Sequence, residues 1–212
     1  MLARLAAVVA DATGAFDELD YARALERTES FFWWFCDDYV ELVKTRAYGK
    51  VGADGAPAKF ADCSPDEVSV RRALHRALSV VQRLFAPHMP FCTDEVWSWW
   101  QSGSVHRATW PTNDATKHPT NDSSLGTASS DSDPELLLDT ASAVLSEIRR
   151  TKTEAKVSQR AKVSAVIVSC DSARSAAVRE AQSDLVKAGS VTEFSVVDGV
   201  ELSVSVTLAP AT

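Results

Sequence analysis

The first 48 residues contain no proline and a single glycine, Gly14, so little in them opposes continuous helix. Leu25, Phe32, Phe35, Tyr39 and Val43 recur at steps of three, four or seven, the spacing that places side chains on one helical face. The pattern predicts two helices broken between Gly14 and Asp20. Phe31-Phe-Trp-Trp-Phe35 lies in the second, and five successive aromatics cannot all face one side of a helix. Most of these rings belong to a core, where aromatics carry much of the burial energy. Those left outside are candidates to stack on unstacked RNA bases, with Trp33 and Trp34 first among them.

Beyond the helices, Lys50 to Pro57 is turn chemistry, and Ser64-Pro-Asp-Glu67 supplies an N-cap followed by proline at the first helical position. A third helix is expected from Pro65 towards Phe85. Pro87 and Pro90 end it, and a short fourth starts at Thr93-Asp94-Glu95. The expected fold is mainly α: a helical bundle over 1–112, a polar flexible linker over 113–134 and a small α+β module over 135–212. In that module a helical stripe runs from Leu137 to Ile148, a strand spans Lys162 to Val168, and a helix from Ala173 to Lys187 stops near Gly189. Thr192–Val197 and Glu201–Leu208 alternate around Asp198-Gly199, which suggests a hairpin.

Lys and Arg number 22 against 29 Asp and Glu, a formal charge of -7. A protein whose whole surface grips nucleic acid is thereby excluded, because phosphate binding needs clustered cations; any such surface must be local. Between Ser146 and Lys162 six cations (Arg149, Arg150, Lys152, Lys156, Arg160 and Lys162) meet two acids, Glu147 and Glu154. If helix persists there, Arg149, Lys152, Lys156 and Arg160 lie near one side, and Lys152, Lys156 and Arg160 become candidate phosphate contacts. Arg71 and Arg72 on the third helix, and Lys44 and Arg46 after the aromatic run, complete the candidate RNA-binding set.

Four scattered cysteines, Cys36, Cys63, Cys92 and Cys170, offer no zinc spacing or disulfide framework and read as buried thiols. His75, His88, His106 and His118 lie in separate segments, without HExxH and without a glycine-rich phosphate loop. No catalytic or metal-ligating residue is assigned. No membrane span or signal peptide is expected, which places the chain in the cytoplasm, as a monomer.

Three stretches carry a resemblance: Phe35-Cys-Asp-Asp-Tyr-Val-Glu-Leu-Val-Lys44, Leu84-Phe-Ala-Pro-His-Met-Pro-Phe-Cys-Thr-Asp-Glu-Val-Trp97 and Ser102-Gly-Ser-Val-His-Arg-Ala-Thr-Trp-Pro111. Together they resemble the anticodon-binding domain of class I aminoacyl-tRNA synthetases for valine, isoleucine and leucine. Asp94 stands where that family usually has Glu, and His106-Arg107-Ala108 is similar to the valine form. Ile148 to Lys156 resembles the short helix before the valine members' C-terminal module. The resemblance implies docking of a tRNA, the valine tRNA, through its anticodon stem and loop. Activation of the amino acid with ATP and Mg belongs to a catalytic domain whose motifs are not among these residues, so no cofactor is expected here. His106 and Trp110 are expected to be structural, and Trp97, Trp99 and Trp100 to lock the bundle's end. The C-terminal coiled-coil arm of many valine members has no counterpart in these residues. The rival readings are the same domain of an isoleucine or leucine enzyme, and a helical protein-interaction module without an RNA role.

Overall fold

The computed structural model describes residues 1–49, 63–112 and 133–210. The expected turn at 50–57 and the expected linker up to residue 132 lie outside the described residues. In chain order the elements are α1 (Leu2–Asp17), α2 (Tyr21–Trp34), a π-helix (Phe35–Val40), α3 (Glu41–Tyr48), α4 (Pro65–Phe85), α5 (Pro90–Ser98), a 3-10 turn (Val105–Arg107), α6 (Pro134–Glu154), β1 (Val163–Cys170), α7 (Ser172–Gly189), β2 (Val191–Asp198) and β3 (Ser203–Leu208). The chain is mainly helical and ends in a small α+β module.

The described residues form two compact units, one of 1–36 and 68–112, the other of 37–49, 63–67 and 133–210. This division differs from the expected boundary at 112. The helix α3 packs on α7 and α6, burying Leu42 and Val43, so it belongs with the C-terminal module. Asp133 and Pro134 likewise leave the expected linker: Asp133 caps α6 by accepting from the Glu135 amide at 3.0 Å, with Pro134 in the first turn.

Local signals set the helix ends. Asp20 accepts from the Arg23 amide at the start of α2. Ser64 and Glu67 form a reciprocal capping box before α4: the Ser64 amide donates to Glu67 Oε2 at 2.8 Å, and the Glu67 amide to Ser64 Oγ at 3.3 Å. The fifth helix starts at Pro90, earlier than the expected Thr93. Proline occupies its first turn, and Thr93 is buried inside it, donating from Oγ1 to the Met89 carbonyl at 2.8 Å.

In the first unit α1 buries Leu5, Val9, Ala12 and Ala15, α2 buries Ala24, Thr28 and Phe31, and α4 buries Val70, Ala77, Val80, Val81, Leu84 and Phe85. Phe32 meets Phe85 edge-on at 5.5 Å. A smaller cluster of Ala86, Trp97 and Val105 is covered by Trp100 and Ala108, and Trp100 Nε1 donates to Gln82 Oε1 at 3.1 Å. Trp97 and Trp100 thus close this end, whereas Trp99 is 71% exposed, contrary to expectation. Trp110 donates from Nε1 to Thr13 Oγ1 at 2.9 Å, and His106 Nε2 lies 3.0 Å from the Pro90 carbonyl, so both have structural partners. Asp94 accepts from Ser104 Oγ at 2.6 Å and from the Val105 amide at 3.0 Å; these two bonds hold its carboxyl below the usual range.

In the second unit β1 is the central strand, parallel to β2 and antiparallel to β3, in the order β2-β1-β3. The expected hairpin between β2 and β3 does not form. The connection crosses the end of β1, where the Gly199 amide donates to the Cys170 carbonyl at 2.9 Å. A Cβ on Gly199 would overlap Ser169 Oγ and lie 3.3 Å from the Cys170 nitrogen. Glycine therefore serves a close crossing there rather than a two-residue turn. Burial of Val163, Val166, Val168 and Cys170 makes β1 the centre of a core shared with Val144, Leu145 and Ile148 of α6 and Ala177, Val178 and Leu185 of α7. As expected, α7 stops at Gly189, but the left-handed cap falls on Ser190 at φ 54°, and a Cβ on Gly189 would come within 2.9 Å of Val191 Cγ2 and 3.1 Å of Ile148 Cδ1. The thiol of Cys92 is exposed rather than buried.

Candidate nucleic-acid interface

The first unit presents aromatic rings. Trp33 is 55% exposed, with Nε1 3.3 Å from Glu29 Oε1 and Phe32 edge-on at 5.5 Å. Trp34 does not offer the same surface, because the Arg4 guanidinium sits 4.3 Å from its ring centroid and Phe31 packs against it at 5.7 Å. Arg71 is half-buried and Arg72 exposed, and both are engaged in interactions of their own.

Sequence reasoning missed Phe91. It is 89% exposed and lines an open cleft of about 680 Å³ with Pro90, Asp94, Glu95, Ser98 and His106. Positions 91, 95 and 99 fall four apart, and Trp99 Nε1 donates to Glu95 Oε1 at 3.1 Å. That spacing was the available signal, but the three tryptophans nearby pointed to burial instead.

The second unit redistributes the expected cations. Arg149 donates to the Asp37 carbonyl and pairs with Glu41 at 3.2 Å, with Asp38 3.9 Å away. Lys44 pairs with the same Glu41 at 2.5 Å. Burial alone would push Glu41 up, but the bond and charge of Lys44, joined by those of Arg149, outweigh it and hold the carboxyl low. Arg46 pairs with Asp184 at 2.8 Å, and Arg150 with Glu147 at 2.7 Å and Glu154 at 3.8 Å. Lys44 and Arg46 are thus already neutralised by carboxylates, and binding phosphate would cost them those partners.

Lys152 is corrected outright. At 1% exposure it faces no ligand; its Nζ donates to the Gly189 carbonyl at 2.8 Å and the Gln159 carbonyl at 3.0 Å. Burial, with the charge of Arg149, pushes its amine down. The expected helical stripe through 160 also fails, because α6 ends at Glu154. Its end is a Schellman motif: the Val157 amide donates to the Lys152 carbonyl at 3.0 Å and the Lys156 amide to the Thr153 carbonyl at 2.9 Å. Lys156 takes the left-handed position at φ 55°, where glycine is usual, so no sequence signal marked the stop.

What remains is compact. Lys156, Arg160 and Lys162 are exposed on the turn between α6 and β1, and none is ion-paired among the described residues. Three cations within seven positions, next to no carboxylate partner, can hold phosphates through charge-assisted contacts.

The family model for the anticodon-binding domain of tRNA ligase matches residues 1–167. Valine--tRNA ligase of Thermobifida fusca is 49% identical over 213 residues, covering all of this chain and 22% of that protein. Valine--tRNA ligase of Salinispora arenicola is 52% identical over 171 residues, 77% of this chain and 18% of that protein. The Leifsonia xyli valine--tRNA ligase is 40% identical over 205 residues, 97% of this chain and 21% of that protein. The chain therefore spans about a fifth of the length of these relatives. Its helical order, its motifs and the matched span together place it in one family: the chain belongs to the anticodon-binding domain family of tRNA ligases.

Proposed function

We propose that this chain docks the anticodon stem and loop of a tRNA, the valine tRNA, as part of a valine--tRNA ligase. The observation that carries the reading is the family match over residues 1–167, together with relatives named for valine throughout. Docking holds the far end of the tRNA so that its acceptor end reaches a catalytic part, outside this chain, that joins valine to it using ATP and Mg. The chain itself supplies no chemistry in this reading. Its exposed cations act on phosphates, which set affinity, and its open rings act on unstacked bases, which set identity.

Lys156, Arg160 and Lys162 are the favoured phosphate contacts, and Trp33 is the favoured stacking ring. Lys44, Arg46, Arg71 and Arg72 are secondary, since each already has a partner. Titrating the chain with valine tRNA over a range of salt tests this assignment. Several phosphate contacts make log K fall linearly with log salt, and Lys156→Ala, Arg160→Ala and Lys162→Ala together should reduce the slope by about 2–3. A salt-independent affinity would remove the phosphate contacts from the account, and no binding of tRNA would favour a protein interface instead.

A further inference from the structure

Lys152 poses a physical question that RNA contact does not answer. Its ammonium is buried, and among the described residues no carboxylate pairs with it. A methionine or leucine would fill the same space without desolvating a charge, so the amine must do something a hydrocarbon cannot. What it does is bond two carbonyls from different segments, Gly189 at the end of α7 and Gln159 in the turn after α6. The end of α7 carries the negative pole of its helix dipole, which suits a cation.

Other bonds fix the same turn from outside. Gln159 Nε2 donates to Thr153 Oγ1 at 3.0 Å and to the Arg149 carbonyl at 3.3 Å, and the Ala161 amide donates to the Ser158 carbonyl at 2.8 Å. The turn is therefore held on both sides of Gln159. Its only outward-facing charges are Lys156, Arg160 and Lys162, all cationic. A non-glycine residue held left-handed at Lys156 is strain of the kind found where a side chain must be aimed.

We propose that Lys152 is a positioning residue for RNA binding: its buried ammonium pins the 155–162 turn through the Gln159 carbonyl, so that Lys156, Arg160 and Lys162 meet RNA phosphates as a preset group. The inference rests on the tRNA-docking reading and adds to it a residue that never touches RNA. Three long side chains on a loose turn would lose more conformational freedom on binding than the same three on a fixed one.

The test is a cycle of variants in the whole chain, read by titration with a valine tRNA transcript. Lys152→Met should weaken binding about fivefold, the loss of one or two phosphate contacts, when Lys156, Arg160 and Lys162 are present. It should cost nothing further once all three are alanine, because a positioning residue acts only through them. Amide exchange should quicken across 156–162 and stay unchanged at Val166 and Val168. Equal losses in both backgrounds would reduce Lys152 to a general stabiliser, and no loss in the native background would overturn its role. Gln159→Ala, which removes the exposed side-chain bonds of the same turn and keeps its carbonyl, repeats the cycle should Lys152→Met fail to fold. Equal losses in both backgrounds would then show that fixing the turn does not act through its cations and so overturn the proposal. If the triple-alanine variant binds like the native chain, the turn and its strut fall while tRNA docking stands. If the native chain binds no tRNA, the docking reading itself fails.

Discussion

Arg46 Nη2 lies 2.8 Å from Asp184 Oδ2, joining α3 to α7 across 138 positions of sequence. Asp184 is almost wholly enclosed, and its Oδ1 has no partner among the described residues, so the guanidinium is its main compensation. Arg46→Ala leaves that carboxylate buried without a counter-charge. The expected cost is about 2 kcal/mol, below the range for a fully buried pair because the Arg46 side chain is a third exposed and partly screened. Urea unfolding followed through amide exchange in α7 checks it.

The same carboxylate gives a pH signature. Burial raises the Asp184 carboxyl above its ordinary 3.8, against the pull of Arg46. A raised acid binds its proton more tightly in the folded state, so its contribution to stability is present below pH 3.8 and is lost as pH rises through the folded value. Glu41 and Asp94 are lowered and act in the opposite sense. The comparison that isolates Asp184 is native chain against Asp184→Asn, and the stability difference should move in favour of the variant as pH rises through that window.

Gly199 tests the crossing that replaces a hairpin. Gly199→Ala puts a methyl into Ser169 Oγ and close to the Cys170 nitrogen, and should destabilise the second unit by about 1–3 kcal/mol. Adding Ser169→Ala should recover part of that loss, because one of the two obstructing groups is then gone. Thermal unfolding of the single and double variants reads this directly. Full additivity would mean that the connection takes another path.

These cases show where the sequence was legible. The Ser64 to Glu67 capping box, the proline at the head of α4 and the periodicity of α6 act within a few residues, and each element followed. Gly199 was legible only as turn chemistry, since nothing local says that β1 lies between the strands it joins. Lys152 and Arg46 resembled surface cations because their partners, Gly189 and Asp184, lie far along the chain. The family and the local excess of charge were readable, but which of those cations are exposed depended on where α6 stopped. Lys156 hid that stop by adopting a glycine conformation. Phe91 and Trp99 show the converse: aromatics in a tryptophan-rich stretch do not all go to the core.

Lys156 should therefore trade stability against binding. Lys156→Gly relieves a left-handed non-glycine residue at the helix cap and should stabilise the second unit by about 1 kcal/mol. The same change removes one of three exposed cations and should weaken tRNA binding several-fold with a salt slope lower by about 1. Thermal unfolding and salt titration on one preparation measure both effects. Stabilisation without loss of affinity would take Lys156 out of the interface.

The most direct measurement is a low-salt titration of the chain with valine tRNA beside the same tRNA carrying a replaced anticodon. The account predicts that both bind with steep salt dependence and that the valine anticodon is preferred. Equal affinity for the two would contradict an anticodon-reading role and leave only a general hold on the RNA backbone.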